Sequence, residues 1–119
     1  MSEEFLRVAK EEVSQDIAEI GNLLNHCSND ADITKHASDI EKHVHKIKGL
    51  TPMMGQDQIG NIASLVDKIL KAVLSGKTIP GIHHTLTQSH GFMKSAIDGN
   101  VANYDLLYSE ITQSYKDLL

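Results

Sequence analysis

Three residues in this chain, His45, Lys48 and Gly49, have types and spacing that together could do chemistry. On a helix, positions i, i+3 and i+4 share a face, so the three meet at one spot. A neutral imidazole is a nucleophile at physiological pH. An ammonium beside it neutralises an incoming phosphoryl oxygen. A glycine leaves clearance for a bulky partner to approach the ring. Those are the properties of a phosphoryl carrier.

The element that must present them is a helix whose apolar seam reads Ile33, Ala37, Ile40, Val44, Ile47, Thr51 and Met54. That spacing is heptad-like, the pattern of a packed bundle helix. His45 lies about 100° round from Val44, which sets it beside the seam with Glu41, Lys48 and Pro52. Pro52 has no N–H for the carbonyl of Lys48, and its ring crowds that carbonyl, so a kink or early loosening is expected just after the site. Gly55 then makes the turn.

The flanking elements follow from the same periodicity. Ser2 caps a first helix with Glu3 and Glu4 in its first turn, and Leu6, Ala9, Val13, Ile17, Ile20 and Leu24 carry it to about His26. The polar run from Cys27 to Asp32 reads as a loop, with Asp32 as the next cap. A third helix has Ile59, Ile62, Val66, Ile69 and Val73 on its seam and ends at Ser75-Gly76. Its adjoining stripe, Gly60, Ser64, Asp67 and Lys71, faces the His45 stripe if the two helices are antiparallel. Asp67 then comes level with His45. A connector at 77–81 leads to a fourth helix on Ile82, Leu86, Met93 and Ile97, weakened by Gly91. Asp98-Gly99-Asn100 breaks it. Asn100 or Asn103 caps a last helix with Tyr104, Leu107, Tyr108, Ile111, Tyr115 and Leu118 on its seam. No alternating strand pattern or repeat occurs. The fold class expected is all-α: an up-and-down bundle of about five helices in a single domain over 1–119.

Composition narrows the function classes. The formal net charge is −5 at pH 7, which speaks against general nucleic-acid binding and against a polybasic membrane surface. No window approaches the roughly 18 apolar residues of a membrane span, and the acidic start reads as no signal peptide. The single cysteine, Cys27, has no internal disulfide partner and fits a half-buried site in a reduced cytoplasm. Within this acidic chain, Lys42, Lys46 and Lys48, with Lys35 further back, make a basic island around the candidate histidine.

Seven histidines invite a metal reading. Two histidine ligands on one helical face need a spacing of three or four, and no pair has it. His43 and His45 point apart, and the Glu-x-x-His element of di-iron bundles is missing, because Val44 stands three residues after Glu41. No metal is expected. His83, His84 and His90 read as ordinary surface residues. No Walker-type loop and no Gly-x-Gly-x-x-Gly occurs, so the chain is not a kinase by itself.

The run His45-x-x-Lys48-Gly49, with Gly55 ten residues after the histidine, resembles the histidine-containing phosphotransfer (HPt) domain. Its Met-Met-Gly ending is similar to the N-terminal phosphotransfer domain of CheA-type chemotaxis histidine kinases. The likeness is sharp over about residues 41 to 76 and architectural elsewhere. It implies His45 as phosphoacceptor and Asp67 as the acid on the next helix that orients the ring, leaving Nε2 as nucleophile. The family usually has glutamate at that position, and often a histidine where Ser64 stands. It favours a second helix that continues past Pro52. It further implies a two-component or chemotaxis relay. A kinase ATP-binding domain gives the phosphoryl group and a response-regulator receiver aspartate takes it, with ATP and magnesium held by those partner domains. No cofactor belongs to this chain. Glu41, Lys46, Pro52 and Met53 are the candidate docking residues. The alternative is a helical interaction module with an incidental exposed histidine.

Overall fold

In the computed structural model, residues 2–119 are described, and five α-helices account for its architecture with no strand among them. Helix α1 spans Glu3–Leu24. Ser2 is extended at its start, and its hydroxyl accepts the N–H of Phe5 at 3.0 Å. Ala9, Val13, Ile17 and Ile20 are buried, but Leu6 is exposed, so the core-facing seam starts one turn later than the spacing suggests.

Helix α2 spans Asp30–Leu50. Its cap is Asn29, not Asp32: the Asn29 side chain accepts the N–H of Asp32 at 2.9 Å. Asp32 lies inside the first turn and reaches back to the N–H of Ser28 at 2.8 Å. The two side chains share the free donors of the helix start, as in a capping box. Further along, Ile33, Ala37, Ile40, Val44 and Ile47 are all buried.

At Pro52 the α-helix stops. The chain tightens into a 3-10 turn over Thr51–Met54, as the missing proline N–H requires. The continuous helix implied by the family resemblance is not what this sequence builds. Thr51 is buried and its hydroxyl donates to the carbonyl of Ile47 at 2.8 Å. Gly55 takes the left-handed conformation, φ 73°, and sends the chain back.

Helix α3, Asp57–Leu74, is the most buried element: Ile59, Ile62, Ala63, Val66, Ile69 and Leu70 are each at most 1% exposed. Burying one such side chain is worth about 1.5–3 kcal/mol, so this helix contributes much of the core. A Cβ on Gly60 would touch Thr51, while Asp67 meets Lys48 and His45. One index rises as the other falls, so α2 and α3 are antiparallel. Gly60 also lets the 3-10 turn lie directly on α3.

Helix α4, Ile82–Ala96, is tied to the start of α2: the Asp30 carboxylate accepts the N–H groups of Gly81 and His83 at 2.9 and 2.8 Å. Those bonds hold the Asp30 carboxyl below its usual range. Two of the supposed surface histidines have structural partners here. His83 Nε2 is 3.0 Å from the Cys27 carbonyl, and His90 Nε2 is 3.0 Å from that of Ile17. Burial pushes the His90 imidazole down. His84 is exposed.

Helix α5 spans Tyr104–Ser114. Asn103 stands at its cap without a side-chain bond, while Asn100 accepts the N–H of Ala102 in the preceding turn. Leu107, Ile111 and Tyr115 are buried, but Tyr108 is exposed and leans on the ring of Tyr104. Cys27 is buried, with its thiol directed at the Leu23 carbonyl. Among the described residues, no helix is long and apolar enough to cross a membrane.

Candidate functional site

Rotation of α2 is fixed by Val44 and Ile47, 1% and 0% exposed, and this turns the intervening stripe outward at one flank of the α2–α3 seam. His45 projects there with 59% of its side chain in solvent. Lys48 follows one turn later, 37% exposed, and Gly49 below it is open: a Cβ built there would meet nothing within 4 Å. The three residues do meet at one spot with clearance above it.

Asp67 comes up from α3 beneath them. Its residue surface is fully buried, and its Oδ2 lies 3.5 Å from His45 Nδ1, 3.3 Å from Lys48 Nζ and 2.8 Å from Lys71 Nζ. The separation of 3.5 Å exceeds an ordinary N–H···O bond, and it is too short to admit a water between the two atoms. Nδ1 therefore sits against a negative charge without a formed hydrogen bond. Two causes are visible. Aspartate is one methylene short of glutamate, and its Oδ2 is already claimed by two ammonium groups. Oδ1 is buried with no partner.

The electrostatics favour a fixed anion at this point. Burial pushes the Asp67 carboxyl upward, but hydrogen bonds from Lys71 and Lys48 outweigh it and hold the group below the usual carboxylate range. Lys71 is raised in turn, chiefly by its bond to Asp67, with Glu41 adding a smaller Coulombic pull. Lys71 thus belongs to the site, although the family pattern did not supply it. The signal was its position four residues after Asp67 on one helix face. Neighbouring Lys68 is exposed, and Ser64 is half-buried and takes no part in the Asp67 bonds.

Glu41 stands one turn before His45, and one donor atom each from Glu41, His45 and Asp67 lie within 4.8 Å of one another. The histidine-only spacing argument passed over this Glu-His pair at i, i+4. The donor types suit a divalent ion. Two lysine ammoniums share Asp67 Oδ2, and their positive charge opposes a cation there.

The remaining docking candidates separate. Pro52 and Met53 are exposed at the 3-10 turn, Met53 at 48%. Met54 packs on the core. Lys46 does not join them: its Nζ pairs with Asp16 at 3.1 Å and Glu12 at 3.7 Å on α1, and the Asp16 bond raises its pKa. The basic island is thereby divided, since Lys35 and Lys42 also lie near acids of their own helix. Near Lys46, His43 Nδ1 is bonded at 2.9 Å to the same Asp16, itself 1% exposed. Nothing in the reading of single motifs anticipated that contact. Its trace in the sequence is an acid set among Val13, Ile17 and Ile20, at core spacing on an amphipathic helix.

In comparisons with protein-family models, with curated proteins and with solved structures, nothing matches this chain.

Proposed function

We propose that the chain is a phosphotransfer domain of a two-component relay, with His45 as its phosphoacceptor. The observation that carries the reading is an imidazole 59% in solvent, its Nδ1 backed by the buried Asp67 carboxylate, with Lys48 beside it and no atom over Gly49. A carboxylate at Nδ1 favours the tautomer that keeps the proton there and leaves the Nε2 lone pair outward.

In this reading a kinase ATP-binding domain presents the γ-phosphate. Nε2 attacks phosphorus, the N–P bond forms as the bond to the bridging oxygen breaks, and ADP leaves. Lys48 offsets charge on the phosphoryl oxygens, and Asp67 stabilises the positive charge that develops on the ring. A receiver aspartate then attacks the same phosphorus from outside, which the open surface at Gly49 permits. Pro52 and Met53 supply an apolar edge for that partner. ATP and magnesium stay on the partner domains, and such a relay works in the cytoplasm. Chemotaxis signalling of the CheA type is the form the motif favours.

The test is incubation of the purified chain with a CheA-type kinase lacking its own phosphotransfer domain, with radiolabelled ATP. Acid-labile, base-stable label is expected on the wild type and none on His45→Gln, whose circular dichroism should be unchanged. No label on either protein would leave the helical interaction module in its place.

A further inference from the structure

His43-x-x-Lys46 repeats, two residues earlier, the pattern of His45-x-x-Lys48. The structure completes the repetition. Each histidine turns Nδ1 toward a buried aspartate on a neighbouring helix, Asp16 of α1 for His43 and Asp67 of α3 for His45. In each case the lysine three residues on shares that carboxylate, Lys46 at 3.1 Å and Lys48 at 3.3 Å. At 2.9 Å the His43 contact is a formed hydrogen bond, whereas the His45 contact at 3.5 Å is not. Asp16 Oδ2 is buried without a partner, as Asp67 Oδ1 is.

We propose that His43 is a second phosphorylatable imidazole, open to small phosphoryl donors of the phosphoramidate and acyl-phosphate classes. Two features limit it to small donors. The His43 side chain keeps only 27% of its surface in solvent, and the residue after Lys46 is the buried Ile47, where a glycine follows Lys48. A protein donor has no clearance there. The charged groups facing the ring are Asp16 and Lys46, with Glu12 3.7 Å from the Lys46 ammonium. Glu12 repels an anionic donor, and Lys46 attracts it.

With phosphoramidate the step balances without a base or an oxidant. The Nδ1 proton stays in the bond to Asp16, and the Nε2 lone pair attacks phosphorus. The N–P bond to the ring forms as the N–P bond of the donor breaks, and ammonia leaves from its protonated nitrogen. The ring gains positive charge, which Asp16 stabilises. A bond that strengthens in this way is worth about tenfold in rate over a histidine with no carboxylate, such as the exposed His84.

The experiment uses the full chain carrying His45→Gln, so the outcome is independent of the function assigned to His45. The protein is incubated with phosphoramidate, and each remaining imidazole is followed by two-dimensional 1H–15N spectra. Phosphorylation of His43 at Nε2 about tenfold faster than His84 is expected, with Asp16→Asn removing the advantage. His43 left unmodified, or modified no faster than His84, would overturn the proposal and leave the contact a clamp between α1 and α2. Should Asp16→Asn unfold, the comparison of His43 with His84 decides alone.

Discussion

Gly60→Ala sets helix propensity against packing, and the structure decides which wins. Propensity alone predicts a gain of about 1 kcal/mol, because glycine inside a helix is that much worse than alanine. The added Cβ would stand 2.9 Å from Thr51 Oγ1 and 3.4 Å from Pro52 Cδ and Cγ. Neither neighbour yields easily. Pro52 is a rigid ring, and Thr51 is buried with its hydroxyl committed to the Ile47 carbonyl at 2.8 Å. Overpacking of this kind costs about 1–3 kcal/mol. Losing the hydroxyl bond adds about 1 kcal/mol. The net is a destabilisation of about 2 kcal/mol, or a fall in Tm of about 8 °C for a chain of this size. Urea unfolding followed by far-UV circular dichroism reads it as a lower midpoint at unchanged slope. In a Thr51→Ala background the penalty should shrink by about 1 kcal/mol, since the hydroxyl it strikes is gone. A Gly60→Ala protein as stable as the wild type, or an equal penalty in both backgrounds, would refute the close approach of the 3-10 turn to α3.

Other changes test the site and its surroundings. Gly49→Ala meets no atom and should stabilise α2 by about 0.5–1 kcal/mol in the same unfolding assay. Gly49→Leu should fold equally well yet slow transfer from a protein partner in a phosphotransfer time course, and an unchanged rate would mean that partners do not approach over it. In the proposed role of Lys48, Lys48→Ala removes one charge-assisted contact to the phosphoryl oxygens; with the ammonium already partly held by Asp67, a loss of about tenfold in transfer rate is expected. Burial holds the folded-state pKa of His90 below its ordinary 6.5, so the unfolded chain binds that proton more readily. Stability should therefore fall as pH drops through about 6.5 and level off below the folded-state value. His90→Gln should flatten the urea midpoint against pH between about pH 7 and pH 5, and an unchanged slope would contradict the assignment.

Periodicity carried the helices because their apolar faces are nearly pure. All five residues of the α3 seam read from spacing are buried. The level of Asp67 against His45 was legible as well: His45 lies ten residues before Gly55 and Asp67 twelve after it, so an antiparallel return sets them at nearly the same height. Errors fall where spacing holds no information on a distant partner. Leu6 and Tyr108 fit their seams in sequence but stand exposed in the folded chain. His83 and His90 look like surface residues until α4 lies on carbonyls at Cys27 and Ile17. Lys46 reads as part of the basic island but reaches α1, because one residue beyond His45 is a further 100° round the helix. The site was half legible. His45, Lys48, Gly49 and Asp67 do meet, and Lys71 lies on the Asp67 stripe that spacing sets against them, while the Asp16-His43 pair emerges only from how the helices pack.

The proposed relay depends on one nitrogen, Nε2 of His45. The most direct measurement is the long-range 1H–15N spectrum of the uniformly 15N-labelled chain after phosphorylation by a CheA-type kinase and ATP. Phosphate on Nε2 of His45, with Nδ1 still protonated against Asp67, is the predicted result. Phosphate on Nδ1 of His45, on any other histidine, or on none, would contradict it.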